Sequence, residues 1–99
     1  MYEHTIRATK PAGVPWLAQA DPTAQTAWKS WWSSQPGYIS TSLVPDGEDS
    51  RIITHLWASQ QDCDAAVTAR ANQPCYQVKR DYESQNGFIY QLIYQGPKV

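Results

Sequence analysis

Alternation of apolar and polar side chains, the period of a half-buried strand, occurs in four stretches of this chain. Residues 2–9 form the first stretch and residues 88–95 the last. Residues 38–44 and 51–58 are rich in β-branched side chains, and the Pro-Asp-Gly turn at 45–47 predicts that these two stretches form a hairpin. The pattern therefore predicts four strands.

Apolar residues at intervals of three and four predict two helices between these strands. The first helix begins at Asp21-Pro22, because Asp accepts from free amides of the first turn and Pro is tolerated at its first position. It ends at the Gln-Pro-Gly sequence of residues 35–37. The second helix begins at a capping box formed by Ser59 and Asp62, and its apolar stripe fades by Asn72.

Two segments carry weaker signals. Residues 11–20 are predicted to form a long loop, since Pro11, Gly13 and Pro15 break any period. Residues 75–84 are polar and mixed, and their pattern leaves open a short extended piece or a further turn of helix. Neither segment changes the order of the main elements.

The predicted order is β-α-β-β-α-β, which specifies an α+β, ferredoxin-like antiparallel sheet with both helices on one face. The other face of such a sheet is left uncovered, and apolar or aromatic residues occur on both faces of the last predicted strand. A second copy of the chain would cover this face, so we expect a homodimer that encloses a space between its sheets.

Length and composition narrow the functional classes. The 99 residues are expected to form one domain, residues 1–99, and 41% hydrophobic against 17% charged residues favours a packed globule. Five Trp and six Tyr exceed what so small a core needs, so some of these rings should line an interface or a pocket. The net charge of −1, with scattered basic residues, argues against a nucleic-acid partner.

No apolar stretch is long enough to cross a membrane, and the N-terminus lacks the apolar core of a signal peptide. We therefore expect a cytoplasmic protein without a membrane partner. The two cysteines, Cys63 and Cys75, are too few for a disulfide framework and lack metal-binding spacing, although one bridge between them stays open.

Two local sequences and the overall spacing connect the chain to a known superfamily. The sequences are Ser34-Gln35-Pro36-Gly37-Tyr38, where the first helix meets a strand, and His55-Leu56-Trp57-Ala58-Ser59, where a strand meets the second helix. Over residues 2–95 the chain resembles the dimeric α+β barrel superfamily, and within it the antibiotic-biosynthesis-monooxygenase type domains. The resemblance implies a small homodimer that works without a cofactor.

Members with an activity include oxygenases of aromatic polyketides, haem-degrading enzymes, and small-ligand isomerases or regulators. The haem-degrading branch uses an Asn on the first strand, a Trp on the third and a His on a helix. Here Trp57 matches the Trp, His4 stands where the Asn is expected, and the helical His is absent. The resemblance thus favours the oxygenases.

The two histidines are the leading candidates for proton transfer, because imidazole titrates near neutral pH. His4 and His55 lie on strands that should be neighbours in this topology, with a parity that would direct both rings into the space between two sheets. The alternative is a pair of structural histidines whose ring nitrogens are bonded to local groups. No third ligand matches their parity, so no metal site is predicted.

Aromatic and basic residues complete the candidate site. Trp57 is predicted to wall a pocket for a flat ligand, either between paired sheets or between the sheet and the helices, or else to anchor the second helix. Tyr38, Tyr90 and Tyr94 are candidate ligand-binding residues, the last two on the same face of their strand. Arg70 interrupts an apolar stripe and could meet an acidic ligand group or cover apolar surface.

Two hypotheses follow. The first is a cofactor-independent monooxygenase that acts on a small aromatic or polycyclic compound held beside Trp57, with His4 or His55 assisting proton removal. The second is a homodimer that binds a small ligand, or has a structural role, without catalysis. No phosphate-binding loop, nucleophile elbow or zinc-protease motif supports another chemistry.

Overall fold

The computed structural model describes all residues 1–99 and contains one antiparallel sheet of four strands. The strands are β1 (Tyr2–Thr9), β2 (Tyr38–Pro45), β3 (Ser50–Trp57) and β4 (Ile89–Pro97), in the spatial order β2-β3-β1-β4. This order confirms the predicted α+β ferredoxin-like sheet. Strands connected through helices are not neighbours in it: β3 lies between β1 and β2, and β1 lies between β3 and β4.

Four helices occur, two more than predicted: α1 (Leu17–Ala20), α2 (Pro22–Ser33), α3 (Gln60–Arg70) and α4 (Pro74–Gln85). The loop prediction for residues 11–20 was wrong at α1, a single turn that buries Leu17. For residues 75–84 the helical alternative is confirmed, over three turns of α4. No helix combines the length and the apolar character that crossing a membrane requires.

The predicted caps of α2 and α3 are confirmed. The Asp21 carboxylate accepts from the backbone amide of Ala24 at 3.0 Å, and Ser59 Oγ accepts from the amide of Asp62 at 3.1 Å. Each bond satisfies an amide that the helix itself leaves free. Both helices therefore begin where the sequence predicts.

The strand register separates two faces of the sheet. Tyr2 pairs with Trp57 and His4 with His55, and these side chains face the helices, because Trp57 and His55 both contact Trp32 of α2. We call this the helix side. The opposite face, here called the open face, carries five large apolar or aromatic residues: Val44, Ile52, Leu56, Ile89 and Tyr94.

A bulge in β4 reverses the alternation of its side chains. Tyr90 pairs with Ala8 and Leu92 with Ile6, but Tyr94 pairs with Thr5, so that one residue of β4 has no partner. Tyr90 consequently lies on the helix side and Tyr94 on the open face. The prediction that the two tyrosines share a face was wrong.

The core lies between the sheet and the helices. It consists of one cluster of buried residues: Tyr2, Trp28, Trp32, Trp57, Cys63 and Ala66. Trp57 is fully buried, with its ring edge-on to Trp32 and to Tyr38 at centroid distances of 5.1 and 5.7 Å. Cys75 packs against this cluster, and both cysteines are free thiols.

Candidate functional site

His4 and His55 are direct cross-strand partners on the helix side of the sheet. Such partners place their Cβ atoms about 4.5–5.5 Å apart. The strand neighbourhood predicted for them is therefore confirmed. Their orientation toward a space between two sheets was wrong, since the His55 ring packs edge-on against Trp32 of α2 at 5.3 Å.

The His55 ring is bonded through one nitrogen only. Its Nδ1 lies 3.2 Å from Nε1 of Trp32 and 2.8 Å from Oγ1 of Thr41. The Thr41 hydroxyl lies in turn 2.7 Å from the Tyr38 hydroxyl. Tyr38, a predicted ligand residue, thus connects to His55 through a chain of hydroxyl groups.

Both histidines are neutral at pH 7. Burial, followed by the charges of His4, Arg70 and Lys79, lowers the pKa of His55 from 6.5 to about 4. Burial and then the charge of Arg70 also lower the pKa of His4. The site consequently offers two uncharged imidazoles in an environment that disfavours positive charge.

Solvent access differs among the polar atoms of the site. The Nε1 atom of Trp57 is the only side-chain nitrogen or oxygen that is buried without a hydrogen-bond partner. The unbonded nitrogens of His4 and the Nε2 atom of His55 therefore reach solvent. Neither histidine is fully buried, whereas Trp57 is covered by its neighbours.

Arg70, at the end of α3, lies over two aromatic rings. Its Cζ atom is 4.7 Å from the ring centre of Tyr76 and 6.0 Å from that of Trp32. No carboxylate pairs with it, in contrast to Arg7, Lys10, Lys79 and Lys98, which make the four ion pairs of the structure. Arg70 is thus a half-buried cation without a counter-charge.

Tyr90 belongs to a second polar group on the helix side. Its hydroxyl lies 2.5 Å from Oε2 of Glu83 and 2.9 Å from Nζ of Lys79, and Lys79 pairs with Glu83 at 2.7 Å. Burial of the hydroxyl and then the charge of Glu83 raise the pKa of Tyr90 above 10. Burial lowers the pKa of Lys79, and the pairing with Glu83 opposes this effect.

The structure brings together most of the predicted site residues, with one exception. One end of the helix side holds His4, His55, Trp57 and Tyr38. Arg70 approaches this end from α3. Tyr90 is on the same side, opposite Ala8, which is four residues from His4 along β1. Tyr94 is on the open face, where its hydroxyl donates to the carbonyl of Pro97 at 2.8 Å. It therefore does not join this group.

Several residues of the site were missed by the sequence analysis. Neither Trp32 nor Thr41 was among the predicted site residues. Lys79 and Glu83 are spaced i, i+4, which indicates an ion pair on a helix. The sequence pattern, however, does not decide whether residues 75–84 are helical or extended. The spacing could have revealed this pair once the segment was treated as helical.

Two surface clefts are lined by neither histidine, although one of them includes Gln95, the cross-strand partner of His4. One, of about 410 Å³, opens beside Tyr2, Ser59 and Gln95, and the other, of about 530 Å³, opens beside Lys10, Trp16 and Asp49. Neither has the paired imidazoles that proton transfer requires, so we place the candidate site at the histidines. No three His, Cys, Asp or Glu side chains are grouped so that they could hold a metal ion.

Comparison with known proteins gives matches in structure only. No known family profile and no curated protein matches the sequence. SnoaB, a cofactor-independent oxygenase from Streptomyces nogalater, is 14% identical and superposes with a TM-score of 0.64, over 99% of this chain and 95% of SnoaB.

Two further solved structures match at similar levels. A candidate antibiotic biosynthesis monooxygenase from Nitrosomonas europaea is 13% identical, with a TM-score of 0.63 over 95% of this chain and 97% of that one. A candidate monooxygenase from Shewanella loihica is 19% identical, with a TM-score of 0.60 over 99% and 94%. The resemblance to antibiotic-biosynthesis-monooxygenase domains is thereby confirmed for the fold.

Proposed function

We propose that this protein is a cofactor-independent monooxygenase that acts on a small aromatic or polycyclic compound between the sheet and the helices. The observation that carries the proposal is the pair of neutral histidines on the helix side, each with at least one ring nitrogen that no protein group engages. The shared fold with SnoaB supports it by analogy.

The chemistry follows from what oxygen needs when no cofactor is bound. A substrate with an acidic ring CH2 group loses a proton to a base and becomes an electron-rich carbanion. The carbanion reduces O2 and forms a carbon–oxygen bond, and the resulting hydroperoxide loses water to leave a carbonyl. The CH2 group supplies all four electrons that reduce O2. One oxygen atom therefore enters the product and the other leaves as water.

His4 is the base in this scheme. Its ring nitrogens carry no hydrogen bond and reach solvent, whereas Nδ1 of His55 is already engaged by Trp32 and Thr41. The lowered pKa keeps His4 unprotonated at neutral pH, ready to accept a proton. His55, Arg70 and the rings of Trp32 and Tyr38 then surround the substrate.

The experiment measures oxygen consumption and carbonyl formation with anthrone, a polycyclic compound that has an oxidisable CH2 group. We expect His4→Gln to lower kcat by about 100-fold or more, the usual contribution of a general base. Thr26→Ala, a change at an exposed position of α2, is the control and should leave kcat unchanged. Equal turnover by the parent and His4→Gln would refute the role of His4.

The non-catalytic alternative predicts a different result. Thermal stabilisation by anthrone or related aromatics, with no oxygen consumed above the uncatalysed rate, would identify a binding protein and overturn the oxygenase proposal.

We also propose that the protein is a homodimer joined through the open face. Val44 and Ile89 are 59% and 66% exposed there, and Tyr94 is 41% exposed, so the apolar surface is broad and uncovered in the single chain. Burial of such a patch against an identical one is the usual route to a twofold dimer.

A further inference from the structure

We propose that the site binds an aromatic oxyanion, a phenolate or a carboxylate, between the Nε2–H group of His55 and the guanidinium of Arg70. The inference rests on the proposed function and deepens it, because it specifies the charge of the substrate. Trp32 is the positioning residue that makes His55 a donor toward the ligand.

The tautomer of His55 follows from the identity of its partner. Indole Nε1 can only donate, so the nitrogen that receives its hydrogen bond must be unprotonated. The Trp32 bond of 3.2 Å ends on Nδ1 of His55. The proton of the neutral ring is therefore on Nε2.

The second contact to Nδ1 agrees with this assignment. The Thr41 hydroxyl, at 2.8 Å, must donate to the unprotonated nitrogen, and it then accepts from the Tyr38 hydroxyl at 2.7 Å. Three donors thus point in sequence toward Nδ1. Protonation of Nδ1 would break the Trp32 bond and reverse the direction of the Thr41 and Tyr38 hydroxyl bonds, and this adds to burial in keeping the ring neutral.

The free side of the His55 ring is consequently a hydrogen-bond donor. Its Nε2–H group has no partner within the protein and reaches solvent. A donor in this position stabilises negative charge on a ligand oxygen and cannot accept a proton from it.

Arg70 supplies the second donor group. It approaches the same Trp32 ring that His55 contacts edge-on, with its Cζ atom 6.0 Å from the ring centre. Its charge lowers the pKa of both His4 and His55, which places it on their side of the fold. Since no carboxylate neutralises Arg70, an anionic ligand would provide the missing counter-charge.

The other ionised groups near the site do not compete for this role. Lys79 influences His55 but is already paired with Glu83 at 2.7 Å. Glu83 is therefore neutralised and does not repel an anion. Arg51 is also without an ion pair on the helix side, but it lies over the Trp16 ring at 3.5 Å, near the other end of β3 and four residues from His55. Arg70 is therefore the unpaired cation beside the histidines.

The first experiment compares two ligands of the same shape, 1-naphthoate and the neutral 1-naphthamide, by calorimetric titration at pH 7.5. Because hydrogen bonds to charged groups are the stronger kind, we expect naphthoate to bind about ten-fold or more tightly. A second pair, a nitro-substituted naphthol that is ionised at this pH and its methyl ether, tests the phenolate form. The pair with the larger ratio of anion affinity to neutral affinity shows whether the preferred oxyanion is a carboxylate or a phenolate.

Arg70→Gln should abolish the preference for the anion. The control is Arg80→Gln, which removes the same charge from an exposed arginine of α4 whose Cζ atom lies 6.0 Å from the Tyr76 ring centre. We expect Arg80→Gln to keep the parent ratio. Equal binding of naphthoate and naphthamide by the parent protein would overturn the proposal.

The second experiment measures the tautomer directly from the nitrogen chemical shifts of His55 in the parent protein. We expect a protonated Nε2 and an unprotonated Nδ1, and a mixture of tautomers in Trp32→Phe. Thr41→Val is a second variant, to be used if Trp32→Phe does not fold. It removes the other hydrogen-bond donor to Nδ1 and leaves the aromatic core intact. A proton on Nδ1 in the parent protein would overturn the role of Trp32.

Neither readout needs turnover. Anion binding without oxygen consumption would reject the oxygenase and leave this proposal standing, whereas oxygen consumption without anion preference would do the reverse.

Discussion

At the scale of single residues, His55 links the charge of the site to the stability of the fold. Its pKa is about 4 in the folded chain and near 6.5 in the unfolded one. Between these values the unfolded chain takes up a proton that the folded chain does not. Stability must therefore fall as the pH drops from 6.5 toward 4.

We predict that His55→Gln flattens this dependence. The full drop in pKa corresponds to at most about 3 kcal/mol, and the partial exposure of the ring reduces the expected effect to about 1–2 kcal/mol. Urea unfolding at pH 6.5 and pH 4.5 measures it. Thr26→His, which adds a histidine at an exposed position of α2, should keep the parent slope. An unchanged slope in His55→Gln would contradict the assigned pKa.

The burial of Trp57 limits its possible contact with a ligand. Its ring anchors the core against Trp32 and Tyr38 and is fully covered, so contact with a ligand would require the side chain to move. Its unpaired Nε1–H is a buried donor without compensation, which carries a cost in stability. A catalytic role for Trp57 stays a prediction.

At the scale of elements, the junction between α2 and β2 packs against the start of α3. Gly37, with φ +79°, provides a left-handed turn there, and its carbonyl accepts from the amide of Ala58 at 2.7 Å. A Cβ atom on Gly37 would lie only 2.6 Å from Cβ of Asp62, in the first turn of α3. The close approach therefore depends on glycine.

We predict that Gly37→Ala destabilises the protein by more than Gly47→Ala. Both positions have a left-handed backbone, φ +79° and +83°, but nothing lies within 4 Å of a Cβ on Gly47. The backbone term of about 1–2 kcal/mol is common to both, and overpacking adds about 1–3 kcal/mol at Gly37 alone. Urea denaturation curves of the two variants measure the difference, and equal midpoints would refute the packing argument.

At the scale of the whole molecule, the open face decides the assembly. Ile52 lies near its middle, paired with Arg7 of β1 and Val44 of β2. A charge introduced at this position would be buried in the proposed dimer and hydrated in a monomer. The exposed Val78 of α4 offers an apolar position outside the proposed interface.

We predict a particle of twice the 11.2 kDa chain mass by light scattering at micromolar concentration. Ile52→Lys should shift the protein to the monomer, because an unpaired buried charge opposes association. Val78→Lys should leave the dimer intact. A folded parent monomer would refute the dimer.

Much of the fold was predictable because its signals are local. The strand period, the Asp21 and Ser59 caps and the hairpin turn each depend on a few neighbouring residues. They occur as predicted, except that the bulge in β4 interrupts its period. The turn α1 and the extent of α4 were not predictable in this way. The first is too short and the second too polar to form a stable helix alone, and each becomes helical with tertiary packing, through buried Leu17 and Glu83 respectively.

The sequence by itself determined the order of the elements and the adjacency of His4 and His55, since both follow from periodicity and topology. Tertiary structure alone decided which face each group occupies. One unpaired residue in β4 moved Tyr94 to the open face, and Trp32, 23 positions from His55 along the chain, set the direction of that ring. Register and side-chain donors act across elements, and no local pattern encodes them.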